Sequence, residues 1–348
     1  MKFKIQPQGL LENMALLLNL APTPLVDTQV AFNAAMAIMV AAEVNIYGVL
    51  GKNAKTAEQI ASETKTDLTA TKNLLDCLVG IGYLRWNNET YSLRSKYYKW
   101  LLKEYSSNLI GKLRFQLIEW KWMGMLDEYV RTGKPINFHS NMTAYEWERY
   151  QDGMRDLSVN TAKELAGKIR LPSSANRMLD IGGSHGLYSI ELCKKYPSLM
   201  STILELPGAI ARASAISAKE NLSDRVRYKS GNALTDDLGE QQYDLIMINN
   251  VVHHFTMEEN FALAKKVARA LKPGGTYAIG EFIRQEKPGE GGVVGSTAGL
   301  YFSLTSSSGT WSEKEMRSWQ TEAGLTPSKA IGLLTLPGWK SLPARLVK

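Results

Sequence analysis

Cysteine and histidine are scarce in this chain of 348 residues, which has two of the first and four of the second. Cys77 and Cys193 lack the close spacing of metal ligands, so no metal centre is expected. A disulfide between them is not expected either, and so few cysteines point to a reduced, cytoplasmic setting. Long apolar runs are missing near the start. The longest there, Ala34–Ala42, has nine residues, against roughly 20 needed to span a bilayer. The opening MKFKIQPQG runs into polar, proline-containing sequence without a secretory cleavage pattern, so no membrane partner is expected. Charge of one sign is also weak. The net charge is +7, and pairs such as Lys194-Lys195 and Lys265-Lys266 read as solvated helix faces rather than a polyanion-binding stripe. What is there is an ordinary globular composition, 44% hydrophobic and 22% charged. The length calls for two domains, each with its own core.

Residues 1–170 read as mainly helical. Apolar residues from Val30 to Leu50 recur at helical spacing and stop at Gly51. Thr56 and Gln59 can form a capping box for the short helix TAEQIASE, and DLTATKNLLDCLVGIG is a second amphipathic helix ended by Gly80 and Gly82. YLRWNNETYSL then alternates and turns at Asn87-Asn88, which predicts a two-stranded wing. Two helices and a wing make a winged helix-turn-helix. Its second helix, Asp67–Val79, carries two aspartates against one lysine, whereas a helix entering the major groove brings Arg or Lys. The wing is therefore read as packing and homodimerisation machinery, with no nucleic-acid partner. A further helical stretch, 108–168, holds Trp120, Trp122, Tyr145, Trp147 and Tyr150, as core or as pocket wall.

After LPSSANR (171–177), a Pro/Ser linker, the rhythm changes. RMLDI, MSTILEL, RVRYKS, YDLIMIN and TYAIGEFI read as strands. LYSIELCKKY, GAIARASAISAKE and MEENFALAKKVARALK read as the helices between them, the last ended by Pro273-Gly274-Gly275. This is the alternation of an α/β doubly wound parallel sheet, expected over 171–348, with its ligand at the carboxyl ends of the strands.

LDIGGSHG (179–186) is a strand running into a glycine-rich turn. The dinucleotide pattern G-x-G-x-x-G fails here, because its positions starting from Gly182 read Gly, Ser, Leu. Read from Asp180, the run resembles the first motif of class I S-adenosylmethionine-dependent methyltransferases, with Ser184 at the middle glycine. Glu205, nineteen residues past Gly186, ends the next strand, where a carboxylate can accept from both ribose hydroxyls. Together with ELPG, VVHHF, LKPGG and GEF, these motifs make nearly the whole chain resemble the small-molecule O-methyltransferases. That family includes plant caffeate, hydroxyindole and bacterial natural-product enzymes. The resemblance implies a Rossmann-like methyltransferase domain behind a winged-helix dimerisation domain, and S-adenosyl-L-methionine as cofactor. By the same resemblance, Asp180, Gly182, Gly183, Glu205, Leu206, Asn232, Ala233, Asn249 and Phe255 would hold that cofactor. Asn232 stands where the family has Asp, Asn249 where plant members have Lys, and Phe255 where the family has Trp.

The segment NNVVHHFTMEEN supplies the chemistry. Thr256 and Glu259 form a capping box, so 250–255 is the short connection at the strand's carboxyl end. The resemblance makes His253 the general base and puts His254 where the family has Asp. If the segment is extended, neighbouring side chains point oppositely and one histidine, read as His253, faces the substrate. A neutral imidazole can take an acceptor proton near pH 7. A phenol at about 10 lies some 3.5 units above imidazole, on the order of 5 kcal/mol if ionisation came first, so activated phenols are favoured over alcohols. Glu281, in GEF, matches the family's first catalytic Glu and would orient the imidazole. The second Glu falls on Thr310. Met154, Leu300, Tyr301 and Thr305 are expected to line the pocket of a small aromatic acceptor. Two other readings stay open: a relative with altered chemistry (N- or C-methylation, decarboxylation or a pericyclic step), and a winged-helix regulator that senses a small ligand.

Overall fold

The computed structural model describes residues 7, 9–136, 138, 142–218 and 224–347. The chain divides into two compact units, Lys2–Trp120 and Lys121–Lys348. The division falls well before the 171–177 linker expected from the sequence.

The first unit carries α1 (Leu10–Leu17), α2 (Thr23–Leu25), a π turn (Val26–Val30), α3 (Ala31–Glu43) and α4 (Ile46–Leu50). After these come β1 (Ala54–Lys55), α5 (Ala57–Thr64), α6 (Leu68–Gly80), β2 (Leu84–Asn87), β3 (Thr90–Leu93) and α7 (Tyr98–Leu101). The division itself lies inside α8 (Ile110–Met123). The apolar periodicity of 30–50 is carried by two helices rather than one, because Asn45 adopts a left-handed conformation at φ 64°. The Thr56–Gln59 capping box forms, each side chain accepting from the other residue's backbone N–H. The wing turns at Asn88-Glu89 rather than Asn87-Asn88: those two residues have positive φ, while Asn87 pairs with Thr90. That is the backbone a two-residue hairpin loop demands. β1, too short to show in the pattern, adds a third strand on β3. Asp76 on α6 is taken up inside the unit, accepting the Tyr91 hydroxyl at 2.6 Å.

The helical run Thr23–Glu43 is 21 residues long with a mean hydropathy of 1.5, so it could cross a bilayer by length and composition. The nine-residue apolar run did not reveal this. Its later half is core, with Ala37, Met39, Ala41 and Ala42 buried. Its earlier half leaves Leu25, Val30 and Phe32 exposed, as α1 leaves Leu10, Leu11 and Leu17.

The second unit opens with α9 (Leu126–Thr132) and the long α10 (Ala144–Lys168), capped by a Thr143–Glu146 box. The α/β alternation follows: β4 (Arg177–Ile181), α11 (Leu187–Lys195), β5 (Met200–Glu205), α12 (Pro207–Ser217), β6 (Val226–Ser230) and β7 (Tyr243–Asn249). Next come a 3₁₀ turn (Val252–His254), α13 (Met257–Ala270), β8 (Leu271–Phe282), α14 (Gly292–Thr305) and α15 (Glu313–Glu322). Three strands close the chain, β9 (Leu325–Pro327), β10 (Ile331–Gly332) and β11 (Trp339–Leu346). α10 belongs with this unit because it packs on α11 and α12, and Thr161 and Tyr188 meet through their hydroxyls at 3.1 Å.

The sheet order is β10-β11-β8-β7-β4-β5-β6. β4 to β8 are parallel, and β11 lies antiparallel on β8, Leu342 opposite Ile279. The sheet is therefore mixed, and the prolines at 337 and 343 hide its last strand from a periodicity reading. α13 stops at Ala270, and Leu271 is already strand, paired with Tyr243. Ile246, Ile248, Ile279 and Leu342 have no exposed surface. Truncating any one to alanine costs about 3 kcal/mol. The order reverses between β4 and β7, which opens a crevice at their carboxyl ends.

Glu164 on α10 fastens the 333–335 loop by accepting from the Leu334 and Thr335 N–H groups and the Thr335 hydroxyl, at 2.7–2.9 Å, while Lys168 pairs with it. Burial works to raise this carboxyl, but the bonds from Lys168, Leu334 and Thr335 outweigh it and hold it near 2. The unfolded chain therefore takes up a proton first as pH falls. The clamp contributes fully above pH 4.5 and is lost toward pH 2. Glu164→Gln is expected to cost about 2 kcal/mol at pH 7, and denaturant unfolding at pH 3 should show less than half that gap. An unchanged gap would contradict the assignment.

Candidate active site

The crevice is walled by the turn after β4. Gly182 and Gly186 have φ of 65° and 74°, and Ser184 between them has 47°. A Cβ on Gly182 would fall 2.6 Å from a Val251 methyl, and one on Gly183 2.6 Å from the Asp180 carboxyl, so both positions need glycine. The turn is fastened to the neighbouring strand: Gly182 N–H donates to the Leu204 carbonyl at 2.8 Å, and Ser184 N–H to Glu205 Oε2 at 3.0 Å. Glu205 Oε1 accepts the Leu206 N–H at 2.8 Å. Burial raises the Glu205 carboxyl above its usual range, and these two N–H groups counter the shift. Each oxygen keeps a lone pair for a ligand hydroxyl.

Asp180 is completely buried beneath the turn. Its Oδ2 accepts from Ser189 Oγ at 2.7 Å, which in turn accepts from Ser201 Oγ at 2.7 Å. Its Oδ1 has no partner among the described residues. Burial pushes this carboxyl up to about 7; the Ser189 bond opposes the shift and the Glu205 charge adds to it. Asn249, at the end of β7, also keeps both side-chain polar atoms buried and unpartnered. Buried polar groups in folded proteins are normally paired, so these two point to a ligand that supplies the missing bonds.

They open onto a cavity of about 250 Å³. All nine residues expected to hold the cofactor line it: Asp180, Gly182, Gly183, Glu205, Leu206, Asn232, Ala233, Asn249 and Phe255. Asn232 Oδ1 also accepts the Leu234 N–H at 3.0 Å, forming a local turn. Glycines that allow close backbone approach, a strand-end carboxylate and unpaired buried polar atoms fit a polar, hydroxyl-bearing cofactor such as S-adenosylmethionine. Met154 lines the same cavity, with Trp147, Tyr150, Gln151 and Ser158 on one face of α10. The aromatic spacing allowed that wall, but nothing in the sequence marked Gln151. His185 also lines the cavity; its Nδ1 accepts the Leu187 N–H at 3.2 Å. Burial, with the nearby Arg155 charge, drives its pKa down to about 3, so it is neutral.

The histidine pair departs from expectation. The 252–254 segment is a 3₁₀ turn, not extended. It is anchored by the Val252 carbonyl, which accepts from Trp311 Nε1 at 2.9 Å and Asn260 Nδ2 at 3.1 Å. His253 is buried with its Nδ1 2.8 Å from Glu281 Oε2, and Glu281 has no exposed surface. The histidine on the cavity wall is His254. The two rings lie 4.2 Å apart, and Phe302 packs on His253 at 4.6 Å. Leu300, Tyr301 and Thr305 do not line this cavity: they sit on α14, where the Thr305 hydroxyl donates to the Tyr301 carbonyl at 2.8 Å. Thr310 is buried, and its carbonyl accepts from Arg284 Nη1 at 2.9 Å.

Residues 129–326 match the model of the O-methyltransferase domain family. The 3-hydroxy-5-methyl-1-naphthoate 3-O-methyltransferase of Streptomyces sahachiroi is 26% identical over 188 residues, 53% of this chain and 52% of that protein. The L-tyrosine C(3)-methyltransferase of Streptomyces lavendulae is 31% identical over 190 residues, 53% of this chain and 50% of that protein. The matches thus span about half the length of these two relatives. Human N-acetylserotonin methyltransferase, solved with S-adenosylmethionine, superposes with a TM-score of 0.81 at 17% identity, covering 94% of this chain and 98% of that one; at that identity the likeness is one of fold. With more than half of its length matched by the family model, the chain belongs to the O-methyltransferase domain family.

Proposed function

We propose that this chain is a cytoplasmic methyltransferase that moves a methyl group from S-adenosylmethionine to a phenolic hydroxyl of a small aromatic acceptor, with His253 as general base. The observation that carries the reading is the buried His253–Glu281 pair at 2.8 Å. Glu281 holds Nδ1, which fixes the tautomer, leaves Nε2 to receive a proton and stabilises the imidazolium once formed. S-adenosylmethionine, when bound, supplies an electrophilic methyl group on a sulfonium. The residues that would hold it are Gly182, Gly183, Glu205, Leu206, Asn232 and Asn249, with Phe255 packing beside it. Met154, Tyr150 and Trp147 would meet the acceptor ring. His253 lies behind His254, which lines the cavity with its ring 4.2 Å from that of His253, so the base has to gain access to the acceptor oxygen when the acceptor binds.

Two observations favour variants of this reading. His254, not His253, lines the cavity, so His254 is the competing base. The Streptomyces lavendulae relative is named a C-methyltransferase, and His254 and Thr310 depart from the family pattern, so carbon or nitrogen is the competing acceptor atom. In a screen of phenols with methyl-labelled cofactor, His253→Asn should lower kcat by about 10²–10⁴-fold and leave cofactor affinity nearly unchanged. Glu281→Gln should lower kcat less. Normal turnover in His253→Asn together with loss in His254→Asn would give the base role to His254. A methyl found on carbon or nitrogen would overturn the O-methyl assignment.

The exposed Leu10, Leu11, Leu17, Leu25, Val30 and Phe32 support homodimerisation through the first unit, since so many large apolar side chains on neighbouring helices mark an interaction surface. Sedimentation velocity should show a dimer that Leu17→Glu with Phe32→Glu converts to monomer. A monomeric wild type would contradict this.

A further inference from the structure

Ser184 is held in the left-handed region at φ 47°, among glycines that adopt it freely. A non-glycine residue there carries backbone strain, so something must favour the side chain. Its hydroxyl donates to Gln151 Oε1 at 2.5 Å, and Gln151 sits mid-helix on α10 with 1% of its surface exposed. The main chain of Ser184 is held as well, its N–H by Glu205 and its carbonyl by the Tyr228 hydroxyl at 2.8 Å. The next residue of α10, Asp152, takes a two-pronged bond from Arg212 at 2.6 and 2.8 Å. Arg212 lies on α12, the helix that begins directly after Glu205-Leu206. Consecutive residues of α10 therefore grip the elements that follow both cofactor-side strands, β4 and β5.

We propose that Ser184 is a positioning residue, coupling the cofactor turn through Gln151 to α10, so that a filled cofactor site fixes the helix that presents Trp147, Tyr150 and Met154 to the acceptor. This rests on the cofactor reading above. Glycine at 184 relieves the strain and loses the bond, two effects that oppose each other in stability. They do not oppose each other in the coupling of the turn to Gln151, because glycine has no side chain to make that bond. That separates a positioning role from a structural one.

The test uses the full chain and S-adenosylhomocysteine, read by calorimetry and hydrogen exchange. In wild type, the ligand should slow exchange both at the turn and along 147–158. Ser184→Gly should keep its Tm within about 4 °C, bind the ligand about tenfold more weakly and retain protection at the turn but not on α10. Gln151→Leu should do the same, and the double variant should be no weaker than the weaker single. Wild-type affinity and α10 protection in Ser184→Gly, or additive effects in the double variant, would overturn the proposal. A wild type that binds no ligand would instead overturn the cofactor reading beneath it.

Discussion

The bond from the Ser184 N–H to the Glu205 carboxylate is the point on which the site depends. It ties the turn after β4 to the end of β5, so the two parallel strands present their carboxyl ends in fixed register. The two glycines before Ser184 serve that bond. Gly182 and Gly183 have neighbours within 2.6 Å of where a Cβ would stand, and any larger residue would lift the turn away from Glu205. A strand-end carboxylate is common. One locked under a turn that approaches so closely is much less so.

The surrounding energetics follow from what the site asks the sheet to tolerate. The unpaired Asp180 Oδ1 and the Asn249 amide each cost about 1–3 kcal/mol in an empty fold. Apolar strands on either side of the crevice, with Ile246, Ile248 and Ile203 fully buried, offset that cost, and a ligand that completes the bonds removes it. The His253–Glu281 pair is organised differently. Glu281 has no exposed surface, and each of its oxygens is bonded, Oε2 to His253 and Oε1 to the Phe282 N–H at 2.9 Å. The cavity thus keeps buried polar atoms without partners among the described residues, whereas both oxygens of the Glu281 carboxylate are bonded.

Much of this was legible in the sequence because it rests on local signals. Strands β4, β5 and β7 show as apolar runs, the Thr256–Glu259 box marks the helix start, and the glycine turn and Glu205 fall at telling positions. What escaped depends on tertiary context. Whether 252–254 is extended or a 3₁₀ turn is decided by the anchors of the Val252 carbonyl on Asn260 in the next helix and on Trp311, far along the chain, and that choice determines which histidine reaches the cavity. Gln151 carries no signature of its own, and its role exists only because Ser184 faces it. The serine at 184 looked like a tolerated substitute for glycine, and its strain is visible only in the backbone. β11 was hidden by Pro343 within it and Pro337 just before it, and α10 joined the second unit because of helices it meets only after folding.

The most direct measurement is calorimetric titration of the full chain with S-adenosylmethionine and S-adenosylhomocysteine, beside Glu205→Ala. The account predicts micromolar binding of both by the wild type, weakened by at least about tenfold in the variant. Folded wild type that binds neither, or a variant that binds as tightly as wild type, would contradict it.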